Sequence, residues 1–325
     1  MIRYSRRRKR IHSPVTVCIS AIADRHKAIV SCVDTRVSTS IASFDPLVGR
    51  KIGGFRGWTV LSSGTMCYIE SLVDSVYAEL GAAPDNDPPS VERCLECALR
   101  SELPKFIAAR YLTPYGLDMP TFLSSRPKGF TDERWNELSR LMLEYSETYD
   151  VEIIVSGWGQ NQEISKSPEA TIFSVGRDGV TRHSDEGFYA CGSGASAALS
   201  TLYFFSQQSH MTLPETVYHV AAAKFMSERA EGVGPRTLLR VATQSGSEGK
   251  LWSGYFLQPE EMSQLYDLWS KYTAPRIPAE AEDKIVEILG KRGKLSVTQD
   301  HFSRRVQDSI EKGKQLDAQK SESEQ

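Results

Sequence analysis

The chain has 325 residues, 25% of them charged, and a formal net charge of −2, a length that holds one large or two modest domains. The near balance of charge gives the chain as a whole no electrostatic case for nucleic acid or a membrane surface, and no apolar run reaches the ~20 residues of a membrane span. The start of the chain lacks the apolar core of a secretory signal, so the expected location is cytoplasmic, and the six cysteines fit a reducing compartment as small core residues.

Residues 1–15 carry the basic run Arg6-Arg7-Arg8-Lys9-Arg10 without apolar periodicity and read as a disordered extension; nucleic-acid association through that run is the weaker alternative. Val15 to Ala23 and Ala28 to Val33 are apolar and β-branched, and the polar Asp24-Arg25-His26-Lys27 lies between them. That pattern predicts a β-hairpin. Such a hairpin carries Thr16, near the start of its first strand, close to Asp34 in Asp34-Thr35-Arg36 at the end of its second. Lys51-Ile52 follows a loop containing Pro46 and Gly49. A hydroxyl, a carboxylate, a guanidinium and an amine are therefore expected at one end of a sheet.

Trp58 to Leu61 reads as a short buried strand. It enters Ser62-Ser63-Gly64-Thr65 and then a helix over Met66 to Leu80 with Ile69, Leu72, Val73 and Val76 on one face. A second helix is expected from a Ser90 N-cap toward Ala109, kinked or broken at Pro104. Its Cys94-Leu95-Glu96-Cys97 lacks a second cysteine pair or a histidine at ligand spacing, so it reads as helix packing rather than zinc. Tyr111 to Gly129, with Pro114, Gly116, Pro120 and Pro127, does not read as regular structure; Trp135 to Tyr145 reads as a third helix. Strands are expected at Val151 to Gly159, Ala170 to Val175, Val180 to His183 and Phe188 to Cys191, the last running into Gly192-Ser193-Gly194. Thr212 and Glu215 form a capping-box pattern for a helix reaching Ala230, followed by a strand from Thr237 to Thr243. Amphipathic helices over Met262 to Tyr272 and Ala279 to Leu289 precede a charged tail.

Taken together, Thr16, Asp34-Thr35-Arg36, Lys51-Ile52, the Gly157-Trp158-Gly159 turn, Gly192-Ser193-Gly194 and Met211-Thr212-x-x-Glu215 resemble, in kind and order, a proteasome β-type subunit or a proteasome-like N-terminal nucleophile (Ntn) hydrolase. The resemblance implies an α+β fold, the four-layer αββα sandwich of the Ntn hydrolase type. It divides the chain into a 1–15 extension, a 16–258 Ntn domain with an insertion near 110–147, and a helical, charged 259–325 extension. It implies a threonine-type hydrolase, a peptidase cleaving peptide bonds once Thr16 is exposed, with no cofactor and no metal. Implied partners are a peptide or protein substrate, copies of the chain in a homo-oligomer or ring, and an ATPase. The alternative is an inactive structural subunit or binding module of the same fold.

The roles carried over are Thr16 as nucleophile, Lys51 beside its amine and oxygen, Asp34 orienting Lys51, Gly64 N–H at the oxyanion, Ser193 in the hydrogen-bond network and Arg36 supporting the loop. A hydroxyl is a weak nucleophile until a base takes its proton, and a free α-amine with a reference pKa near 8 can serve. An ungapped alignment places Cys18 at the nucleophile position; a longer hairpin tip restores Thr16. Two departures stand out. Ala195 replaces a second serine, and Glu228, Arg229 and Glu231 occupy the stretch where the family has an aspartate before a Ser-Gly-Gly turn.

Overall fold

The structure is a computed structural model that describes residues 16–38, 43–44, 51–55, 57–83, 85–146, 149–159, 168–244 and 252–272. The basic run, Pro46, Gly49 and the helix expected over 279–289 lie outside them.

Two five-stranded antiparallel sheets lie face to face. The first has the order β10 (Phe188–Cys191), β1 (Cys18–Ala23), β2 (Ala28–Asp34), β11 (Thr237–Gln244), β12 (Trp252–Phe256). The second runs β5 (Ile52–Phe55), β6 (Trp58–Ser63), β7 (Glu152–Trp158), β8 (Ala170–Gly176), β9 (Gly179–Arg182). A short ladder pairs β3 (Val37–Ser38) with β4 (Ser43–Phe44). Successive strand residues point to opposite faces, so each central strand serves two cores. Ile19, Ala21, Val30 and Cys32 face α5 (Ala195–Phe204) and α6 (Leu213–Ser227). Ile153, Val155 and Phe173 face α1 (Met66–Ala82) and α2 (Pro88–Tyr111). Cys18, Ile22, Ile29, Val33, Leu61, Ile154 and Ile172 fill the space between the sheets. Burial on both faces is why these strands read as near-continuous apolar runs. The result is the four-layer αββα sandwich of the Ntn type.

The helices begin where their caps allow. Thr212 and Glu215 make both bonds of the capping box at the start of α6. The start of α2 corrects the Ser90 expectation: Asp87 is the N-cap and its carboxylate accepts from Ser90 N–H at 2.8 Å. Pro88 and Pro89 fit the first turn, where no N–H is needed. The helix runs through Pro104 to Tyr111 instead of breaking there.

The stretch after Tyr111 is also more regular than expected. It contains a 3₁₀ turn at Thr113–Tyr115 and a short helix α3 (Met119–Ser124). Pro114 and Pro120 again occupy first turns, and Asp118 caps α3 by accepting from Thr121 N–H at 2.7 Å. These elements and α4 (Asp132–Ser146) form a small core of Leu112, Phe122, Leu138 and Met142. A last helix, α7 (Pro259–Tyr272), lays Met262 on the α6 side, with Tyr266 and Trp269 against Phe225.

Candidate functional site

The site grows from the open end of the β1–β2 hairpin. Cys18 pairs with Val33, so Thr16 and Asp34 emerge side by side where the strands leave the core. Both are buried, at 2% and 0% exposure. The Thr16 hydroxyl donates to Asp34 Oδ1, which also accepts from Val17 N–H at 2.9 Å. Asp34 Oδ2 accepts from Gly234 N–H at 3.1 Å. Lys51, 7% exposed, precedes β5 and enters from the facing sheet. Its Nζ donates to Thr16 Oγ1 at 2.6 Å, to Asp34 Oδ1 at 3.2 Å and to the Arg36 carbonyl. Arg36 thus contributes through its backbone.

The turn after β10 closes the other side. Thr16 N–H donates to Ser193 Oγ at 3.2 Å, and Gly194 N–H donates to the Thr16 carbonyl at 3.1 Å. The Ser193 hydroxyl reaches the carbonyls of Thr16 and Glu231 at 3.3 and 3.2 Å. Gly192, at φ +93°, admits no side chain, because a Cβ would come within 2.4 Å of the Thr16 carbonyl oxygen.

Thr16, Asp34, Lys51, Ser193 and the Arg36 carbonyl therefore meet in one cluster. Gly64 stands at the β6–α1 turn. Its strand touches the cluster through Ser62 N–H, which donates to the Lys51 carbonyl at 3.0 Å. At φ +123°, a Cβ on Gly64 would lie 2.4 Å from the Asp150 carbonyl. Cys18, the alternative nucleophile, faces the space between the sheets, and its thiol donates to the Ser62 carbonyl at 3.3 Å. Cys94 and Cys97 lie on α2. Among the described residues, no group of three or more His, Cys, Asp or Glu side chains is placed to hold a metal, and no helix is long and apolar enough to cross a membrane.

Several members of the network were not singled out in the sequence. Lys224 is fully buried on α6, within the otherwise apolar Val220-Ala221-Ala222-Ala223-Lys224-Phe225; a lysine in that run was the available signal. Its Nζ donates to Glu228 and to the carbonyls of Gly234 and Pro235 at 2.8 and 3.0 Å. Gly234 thus receives Lys224 through its carbonyl and gives its N–H to Asp34. Neither Glu228 nor Glu231 brings a carboxylate to Thr16: Glu228 pairs with Lys224, and Glu231 supplies a carbonyl. Burial pushes the nearby Cys32 thiol up to about 12, against the pull of the Lys224 ammonium. Ser63 Oγ is buried without a hydrogen-bond partner and lies 2.8 Å from where a Cβ on Gly192 would stand. Nothing in the sequence marked it.

No family model and no curated protein matches the chain. Among solved structures, the chain is similar to Anbu from Hyphomicrobium sp. strain MC1. For the (Gly-1) mutant the TM-score is 0.52 at 14% identity, over 83% of this chain and 99% of that one. For Anbu in a second crystal form it is 0.51 at 14% identity, over 87% and 100%. Anbu is proteasome-related and has an Ntn-type fold, so the likeness shows the fold, over nearly all of the relative's length. It corrects the identification of the chain with the proteasome β-type and proteasome-like Ntn hydrolase family. At this identity only the path of the chain is shared. The short motifs that suggested the family (Asp-x-Arg, Lys-Ile, Gly-Ser-Gly) are a few residues each, at strand ends and turns.

Proposed function

We propose that the chain is an amide hydrolase of the threonine Ntn type, acting on peptide bonds after residues 1–15 are removed. The observation that carries this reading is the meeting of Lys51 Nζ with Thr16 Oγ1 at 2.6 Å, beside a fully buried Asp34. Once Thr16 leads the chain, the nitrogen now bonded to Ser193 Oγ becomes an α-amine placed to take the hydroxyl proton. The Lys51 ammonium favours the free amine and stabilises the alkoxide. Asp34 accepts from Lys51 and orients it, and Gly64 N–H serves the oxyanion. The acyl group passes to Thr16 Oγ1, the amine product leaves with the proton, and water hydrolyses the ester. Self-association belongs to the same reading and is supported by the exposed Tyr203 and Phe204 at the end of α5.

In the sequence as given, Thr16 is internal, which favours the second reading: an inactive structural subunit or binding module of this fold. The two are separated by intact mass of the purified chain with and without a threonine-directed electrophile, as wild type and as Thr16→Ala. The hydrolase reading expects loss of residues 1–15 and one adduct that Thr16→Ala abolishes. A chain engineered to start at Thr16 that takes no adduct sinks it.

A further inference from the structure

A cavity of about 350 Å³ opens at the same end of the sandwich, between the edge strands β9 and β10. Its volume falls within the range of small-ligand sites. Glu152, at the start of β7, is its central acidic residue and stands in register with Ser63, the residue before Gly64. Tyr189 enters from β10, two residues ahead of the Cys191-Gly192 corner that wraps Thr16. The cavity and the Thr16 cluster are therefore linked along the chain through β6 and β10, whose ends border both.

The interior is held by its own contacts. The Tyr189 hydroxyl donates to Glu152 Oε1 at 2.7 Å. The His183 ring stacks on Tyr189 with centroids 3.9 Å apart and planes 14° from parallel, and its Nε2 lies 2.8 Å from Ser174 Oγ. Glu152 rests on Gly176, where a Cβ would stand 3.3 Å from its Cγ. Groups positioned in this way lose little further freedom when a ligand arrives.

The walls carry the carboxylates of Asp150, Glu152 and Asp178 and one guanidinium, that of Arg177. Among the described residues, Tyr189 is the one hydrogen-bond partner of the Glu152 carboxylate, and no cation is paired with it. Asp150 and Asp178 line the same space. Asp150 accepts from the Thr65 hydroxyl at 3.0 Å, and the Arg177 guanidinium turns to Asp178 at 3.1 Å. Burial holds His183 below the usual histidine range and raises the Glu152 carboxyl, which the Tyr189 bond only partly offsets. A half-buried carboxylate without a cation is costly, and a cation that meets it together with the wall hydroxyls can offset that cost.

We propose that this cavity binds an ammonium or guanidinium group through Glu152, and that, on the hydrolase reading above, it is the subsite for a lysine or arginine side chain of the substrate. Glu152 supplies the charge, Asp178 and Asp150 add to the field, and Ser174 and Thr181 offer hydroxyls at the wall.

The test is a calorimetric titration of the full, unprocessed chain with Nα-acetyl-arginine amide and with its neutral isostere, Nα-acetyl-citrulline amide. The arginine compound should bind at least tenfold more tightly. Glu152→Gln should erase that preference, and Asp178→Asn, at an exposed turn, should weaken it severalfold. Equal affinity for the two amides, or an unchanged preference in Glu152→Gln, overturns the proposal. Because no turnover is needed, failure of the hydrolase reading shows separately, as arginine binding by a chain that takes no adduct at Thr16.

Discussion

The β1–β2 hairpin ends in two different ways. At its open end, Thr16 and Asp34 sit among glycines: Gly192 and Gly64 are required because neighbouring carbonyl oxygens occupy the space of a Cβ. At its closed end, Asp24, Arg25 and His26 adopt φ of 49°, 53° and 70° with no glycine present. That conformation costs an ordinary residue about 1–2 kcal/mol. It is held from outside. Asp24 and Arg25 N–H donate to the carbonyls of Met211 and Ser209, both at 2.8 Å, and Leu213 N–H donates to Asp24 Oδ1 at 3.0 Å. From the other sheet, Trp158 Nε1–H donates to the His26 carbonyl at 2.7 Å. One end thus achieves its geometry by crowding around small residues, the other by strain offset with hydrogen bonds. Reacting groups belong at the first kind of end, where charges are fixed by direct partners, and changes at the two ends should be read by different measurements.

The largest effect should come from the open end. In a chain starting at Thr16, Lys51→Met should slow labelling by a threonine-directed electrophile about 10²- to 10⁴-fold, the scale of a lost proton-transfer partner. The change also leaves the buried Asp34 without its cation, though with its bonds from Thr16, Val17 and Gly234, so the urea midpoint should fall as well, and labelling is compared between folded proteins. Labelling that survives Lys51→Met would leave the open end a structural ion cluster.

The second buried lysine sharpens the contrast. Lys224 meets carbonyls and Glu228 but no hydroxyl. Lys224→Ala should therefore cost about 3–5 kcal/mol of stability, as expected when a buried ion pair loses one partner. Urea denaturation measures it, and a loss below about 1 kcal/mol would deny that Lys224 anchors the Gly234 turn beneath Asp34. A smaller cost, about 1–3 kcal/mol, is expected for Gly64→Ala, which forces a side chain to φ +123° against the Asp150 carbonyl. Unchanged denaturation would show that the β6–α1 turn has room to yield.

What could be read in advance follows from how local each feature is. The meeting of Thr16 with Asp34 needs only two apolar runs and a polar tip, and the capping box of Thr212 and Glu215 needs only its spacing. The strand order was not written locally; each strand's apolar run was, and the layered fold came from the order of the motifs through the resemblance they carry. The cap at Asp87 and the helix at Met119–Ser124 were hidden by prolines, which look like breakers although first turns accept them. Lys224 was hidden because its partners lie beyond the helix, and the Glu152 cavity because Glu152 and Tyr189 are 37 residues apart. The short motifs misled about family for the complementary reason. Motifs of two or three residues are too short to fix a lineage, and turn glycines such as Gly64 and Gly192 answer to the backbone alone.

The closed end gives the smallest test and the one with an unusual sign. Arg25→Gly keeps the backbone bond from residue 25 to the Ser209 carbonyl while removing a left-handed conformation worth about 1–2 kcal/mol. The glycine loses more freedom on folding, about 0.5–1 kcal/mol, so the net effect should be a stabilisation of up to about 1.5 kcal/mol, seen as a higher urea midpoint. Trp158→Phe, which deletes the donor to His26, should act in the opposite direction by about 1 kcal/mol. If Arg25→Gly instead destabilises, the Arg25 side chain contributes more at the tip than the strain costs. The closed end would then be held by side chains as the open end is, and the contrast between them would fail.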